Sequence, residues 1–156
     1  MTTNETTFPA SASTEIATAP TPTAATLPAL TYGKELQQFC SFTPETDEQR
    51  AELYNALNSP DVRISDHVNK EIDLRDFVVE PVELRNETTG ELEVAPRVVL
   101  IDTDGNSYHG VSNGIYNTLS RLCMIYGRSS FPNGLPVRIK QINRGQNRLF
   151  TLEIIK

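Results

Sequence analysis

Cations and flat rings alternate over the last third of the chain. Arg97, Arg138, Lys140, Arg144 and Arg148 carry permanent positive charge, and Tyr108, His109 and Phe150 carry rings. This mixture suits a single strand of nucleic acid. Guanidinium and ammonium groups neutralise phosphates, while rings stack on unpaired bases at about 1–3 kcal/mol per base without reading base edges. The plain alternative is that the rings are core and the cations only solubilise an edge. Phe150 shares its alternation with Leu152 and Ile154, which favours a core position; Tyr108 suits either role.

Bond-making chemistry finds no comparable set. His67 and His109 are far apart, and neither has Cys or His at metal-ligand spacing. No phosphate-binding loop, nucleophile elbow or dinucleotide fingerprint occurs. Asp102 to Asn106 opens like a calcium loop, but position six is Ser107 rather than Gly and position twelve is Asn113 rather than Glu. Cys40 and Cys123 are too few for a disulfide framework and read as reduced thiols. The expectation is a protein that is not an enzyme, with no catalytic residues, metal or cofactor.

Net charge is −6, which alone argues against a polyanionic partner. Its distribution points the other way. Residues 1–96 hold 6 Lys/Arg against 17 Asp/Glu, a net of −11, and residues 97–156 hold 8 against 3, a net of +5. A chain polarised in this way can turn one basic face to a polyanion.

These side chains need a sheet to position them. Glu71 to Arg85 alternates apolar and charged residues, with a phase break around Asp76 to Val79 that reads as a bulge in a long, bent strand. Asn86 to Gly90 is a hairpin loop, and Leu92 to Asp102 a second strand in which Pro96 marks an edge or a strand start. Asp104-Gly105 turns the chain into Asn106 to Val111. Ser112 caps a helix in which Ile115, Leu119, Leu122 and Tyr126 form a core stripe, widened by Tyr116, Cys123, Met124 and Ile125; Gly127 stops it. Pro136 to Ile142 and Arg148 to Ile155 form a closing hairpin. The order predicts a mainly β fold: an OB-like, five-stranded Greek-key barrel with one helix between strands three and four.

Upstream, residues 1–30 are rich in Thr, Ala and Pro and short of large apolar side chains, so a disordered arm is expected. Residues 31–60 form a helical lead-in, where Tyr32, Leu36, Phe39, Cys40 and Phe42 could pack on the domain. Thr46 and Gln49 have capping-box spacing at the head of an amphipathic helix, either a lid on the barrel or a partner-binding element. Residues 61–156 form the barrel domain, with Val62 to Lys70 read as turn-rich. The N-terminus lacks the pattern of a signal peptide, and 18 apolar residues never run together, so a cytoplasmic protein without a membrane partner is expected.

Asn69–Val79 (NKEIDLRDFVV), Thr89-Gly90-Glu91, Ala95–Tyr108 (APRVVLIDTDGNSY), Ser112–Tyr116 (SNGIY), Leu135–Gln141 (LPVRIKQ) and Leu149–Glu153 (LFTLE) also occur in a familiar order, and Tyr54–Asn58 (YNALN) fits upstream. In that order and spacing the chain resembles the small single-stranded-DNA-binding proteins of tailed phages of Gram-positive hosts and their mobile-element relatives. The resemblance implies a non-enzymatic protein that coats exposed strands during phage DNA replication or recombination in the host cytoplasm, with replication or recombination proteins as further partners. The acidic first portion keeps a rival reading open: an acidic protein-interaction module, inhibitor or scaffold, acting on a DNA-processing enzyme. The Thr/Ala-rich arm is the sole motive for a third, a minor virion component.

Overall fold

The computed structural model describes residues 36–156. The expected arm, residues 1–30, and Tyr32 lie outside them. In chain order the elements are β1 (Phe39–Cys40), α1 (Asp47–Asn58), β2 (Val62–Arg63), a 3-10 turn (Ile64–Asp66), β3 (Glu71–Arg85), β4 (Leu92–Asp102), β5 (Ser107–Val111), α2 (Asn113–Tyr126), β6 (Leu135–Arg144) and β7 (Asn147–Ile154). The strands form one mixed sheet in the order β2-β5-β4-β3-β6-β7, and β1 pairs with β3.

The long strand β3 curls this sheet. Its first residues, Glu71–Leu74, pair with β6, and Leu74–Arg85 pair with β4. The register slips between Leu74 and Asp76, leaving Arg75 as the extra residue. A one-residue slip exchanges the two faces of a strand. Ile72 and Leu74 before it, and Phe77 and Val79 after it, therefore reach the same core. The broken alternation of the sequence is this bulge.

Val98 and Leu100 of β4, Val137 and Ile139 of β6 and Leu152 of β7 complete the concave side. Helix α2 fills it with Ile115, Tyr116, Leu119, Leu122 and Cys123; burying each large aliphatic side chain stabilises the fold by about 1.5–3 kcal/mol. The Ser112 hydroxyl accepts the Ile115 N–H at 3.1 Å to start the helix, and Gly127 ends it at φ +68°. A Cβ on Gly114 would collide with the carbonyl oxygen of Phe150. The missing side chain thus lets α2 lie directly on β7, where Phe150 sits. Met124 and Ile125, expected to widen the buried stripe, point to solvent instead, because sheet covers only one side of the helix.

Helix α1 starts as its sequence predicts. Thr46 and Gln49 form the capping box, and Ala56 and Leu57, with Phe42, cover Val99 and Ile101. These residues lie on the other face of the sheet, so α1 backs the sheet and does not lid the concave side. Glu52 receives Arg75 at 2.7 Å and ties the helix to the bulge. Phe39 of β1 packs its ring 5.7 Å from that of Phe77.

The protein is thus mainly β, a curled half-barrel with two helices. Two short strands, β1 and β2, join the five expected ones. Among the described residues β7 pairs with β6 alone, so the sheet has free edges at β2–β5 and at β7 where a closed barrel was expected. No helix among the described residues is long and apolar enough to cross a membrane.

Candidate nucleic-acid interface

Between the two free edges lies a cleft of about 300 Å³, lined among others by Arg63, Ile64, Arg97, His109, Val111 and Phe150. Its first wall is made by a short parallel pairing. Val62 stands opposite Tyr108, and Arg63 opposite His109. Asp61 holds this junction: its carboxylate accepts the backbone N–H and the hydroxyl of Ser107 at 2.9 and 3.0 Å. Gly110 leaves space for Ile64, whose side chain lies 3.5 Å from where a Cβ would be. The opposite wall is Phe150, half-buried and packed against the core.

The cleft lining brings together two guanidiniums, Arg63 and Arg97, and the His109 ring. Burial, followed by the nearby charges of Arg97 and Arg63, holds the His109 pKa below the usual imidazole value. Of the two guanidiniums, Arg63 meets no carboxylate among the described residues. Arg97 is already engaged: it donates to Glu80 at 2.9 Å and to the Leu57 carbonyl at 3.0 Å, which fastens the end of α1 to the sheet. Arg97 therefore borders the cleft while also clamping α1 to the sheet.

From Phe150 the β6–β7 hairpin projects beyond the core. Residues 142–149 are all exposed, and Gly145 makes the turn at φ +61°. Alternation divides the expected cationic patch between two faces. Arg148 shares a face with Phe150 and Leu152, whereas Lys140 and Arg144 share the other with Ile142. Among the described residues Lys140, Arg144 and Arg148 meet no carboxylate.

Two further expected residues lie outside the cleft lining and are engaged within the protein. The Tyr108 ring is buried, 4.7 Å from the ring of His67, and its hydroxyl donates to Asp102 at 2.9 Å. Burial and that carboxylate push its pKa up to about 12. Tyr108 fastens β5 to the preceding turn, and its ring has no face left for a base. Arg138 is held by Glu71 at 3.0 Å and Glu153 at 3.4 Å, so its charge is balanced on its own surface. Conversely, Arg63 was not foreseen. It belongs to the stretch read as turn-rich, and only the pairing with β5, distant in sequence, places it in the cleft.

A curled β-sheet with a cationic, ring-lined cleft and a basic ribbon beside it has the make-up of a single-strand-binding protein. The family model described as phage single-stranded DNA-binding protein matches residues 33–155, and the chain belongs to that family. Neither the curated proteins nor the solved structures gave a match to the chain.

Proposed function

We propose that the protein binds single-stranded DNA without sequence preference and covers exposed strands during phage DNA replication or recombination in the host cytoplasm. The observation that carries this reading is the continuity between cleft and ribbon. Phe150 lines the cleft, and Arg148, two residues away on the same face of β7, stands about 7 Å along the strand. A base stacks on Phe150 while its neighbouring phosphates meet Arg63 on one side and Arg148 on the other. Lys140 and Arg144, on the back of the ribbon, receive the strand as it leaves. Stacking and phosphate pairing are blind to base identity, which accounts for the lack of sequence preference.

The strand order supports an OB-like interpretation. On this reading the order β5-β4-β3-β6-β7, with α2 between β5 and β6, corresponds to a small barrel left unsealed between β5 and β7. The cleft occupies the unsealed seam. OB-like barrels bind oligonucleotides across their sheet face and adjoining loops.

The test is a titration of the full chain with oligo-dT, a mixed-sequence single strand and a duplex of equal length, at rising salt. The two single strands should bind within about threefold of each other and the duplex far more weakly, with log affinity falling linearly in log salt at about 0.7 per phosphate contact. Failure to bind either single strand at micromolar protein overturns the proposal.

A further inference from the structure

The back of the β6–β7 ribbon carries more than its two cations. Ile142 and Leu149 stand directly opposite each other, and both are exposed, at 43% and 36%. Facing side chains of an antiparallel pair lie in contact, so the two form one aliphatic platform. Neither belongs to the packed core. Cross-strand threonines would brace the ribbon as well and leave no apolar surface in water. Lys140 and Arg144 share this face, about 7 Å along the strand on either side of Ile142. Among the described residues neither cation meets a carboxylate.

This face meets acids at the root of the ribbon. Glu71 and Glu153 stand on either side of Arg138 there, and Arg138 pairs with both. From Lys140 through the turn to Thr151 the chain has no acid. The platform therefore lies between two free cations, beyond a root whose carboxylates are already engaged.

The occupant that fits must offer flat apolar groups between anions. A single strand of DNA does so, with base faces between phosphates, whereas a duplex hides its base faces in the stack. The platform also continues the site already described. Arg148, Leu149 and Phe150 are consecutive, so Arg148 and Phe150 take one face of β7 and Leu149 the other. Among the described residues β7 pairs with β6 alone, which leaves its outer edge open for a strand to cross.

We infer that the strand held at Phe150 passes Arg148, crosses the edge of β7 and lays a further base on the Ile142–Leu149 platform, its neighbouring phosphates on Lys140 and Arg144. The inference rests on the DNA-binding reading and adds a second base site to it. Covering the aliphatic pair with a base removes apolar surface from water, and this contact, like stacking, is blind to base identity. One copy then grips the strand on both faces of the ribbon.

The experiment is methyl NMR of the full chain with oligo-dT and with an abasic strand of equal length. Ring currents of the bases should shift the Ile142 and Leu149 methyl signals in oligo-dT. The abasic strand, which supplies phosphates alone, should not shift them, and the exposed methyls of Leu92 and Ile125 should stay in place with both. Replacing Ile142 and Leu149 together by Thr should weaken oligo-dT binding by about tenfold. The salt slope should change by less than about 0.7, the share of one phosphate contact. Thermal unfolding checks that the variant is folded, and the wild-type spectra decide the matter if it is not. Methyls that respond equally to the abasic strand overturn the inference, as do methyls held by residues 1–35 in the complex, or shifted by poly-glutamate that oligo-dT does not displace. Oligo-dT that shifts the Phe150 ring signals and leaves both methyls in place strikes this inference alone. Oligo-dT that binds nowhere strikes the DNA-binding reading and this inference with it.

Discussion

The β3–β4 and β6–β7 hairpins are built alike and charged oppositely. Each leaves the sheet as a two-stranded ribbon, turns on a glycine in the left-handed region, Gly90 at φ +76° and Gly145 at φ +61°, and exposes aliphatic side chains at its flanks. From Val82 to Ala95 the first has four glutamates and one arginine; from Lys140 to Phe150 the second has three cations and no acid. A net charge of −6 is thus the sum of surfaces of opposite sign, and it does not predict which of them meets a polyanion.

The largest effect should come from the basic ribbon. Replacing Arg144 and Arg148 by Ala should weaken binding to a short oligo-dT by about tenfold or more at low salt and reduce the salt slope by about 1.4. Replacing Glu91 and Glu93 by Gln on the other ribbon should change the same affinity by less than about twofold, because salt screens charges more than about 10 Å from the strand. Equal effects from the two ribbons would abolish the contrast.

A smaller effect should come from His109. In the free protein its pKa is held below the usual value by burial and by the charges of Arg97 and Arg63. A phosphate entering the cleft opposes that suppression, so the complex takes up protons that the free protein does not, and affinity should rise by roughly threefold as pH falls through the ordinary imidazole range. His109→Gln should flatten the profile. For folding the sign is opposite. The unfolded chain accepts this proton first, so stability should decline as pH drops below about 6.5. A wild-type affinity that is flat with pH would place the phosphates away from His109.

Features fixed by neighbouring residues were legible in the sequence. The Thr46–Gln49 capping box, the Ser112 cap, the Gly127 stop and the bulge in β3 each depend on a few adjacent side chains, and all are present. Features fixed by distant pairing were not. Arg138 looked like a free cation because its partner Glu71 lies 67 residues away, and Arg97 is bound by Glu80 and by a carbonyl of α1. Tyr108 alternates correctly for either face, and only its bond to Asp102 shows which one it took. The cleft itself needs β2 beside β5, a two-residue parallel pairing too short to leave a periodic signal. Met124 and Ile125 suit a buried stripe by composition, but they lie on the side of the helix that the sheet does not cover.

The most direct test is photochemical cross-linking of the full chain to a short strand carrying iodouracil, with the attached residues mapped by mass spectrometry. Cross-links should gather on Phe150 and on neighbouring residues of the cleft and the β6–β7 ribbon. Cross-links confined to α1 or the β3–β4 ribbon, with Phe150 unmarked, would contradict the account.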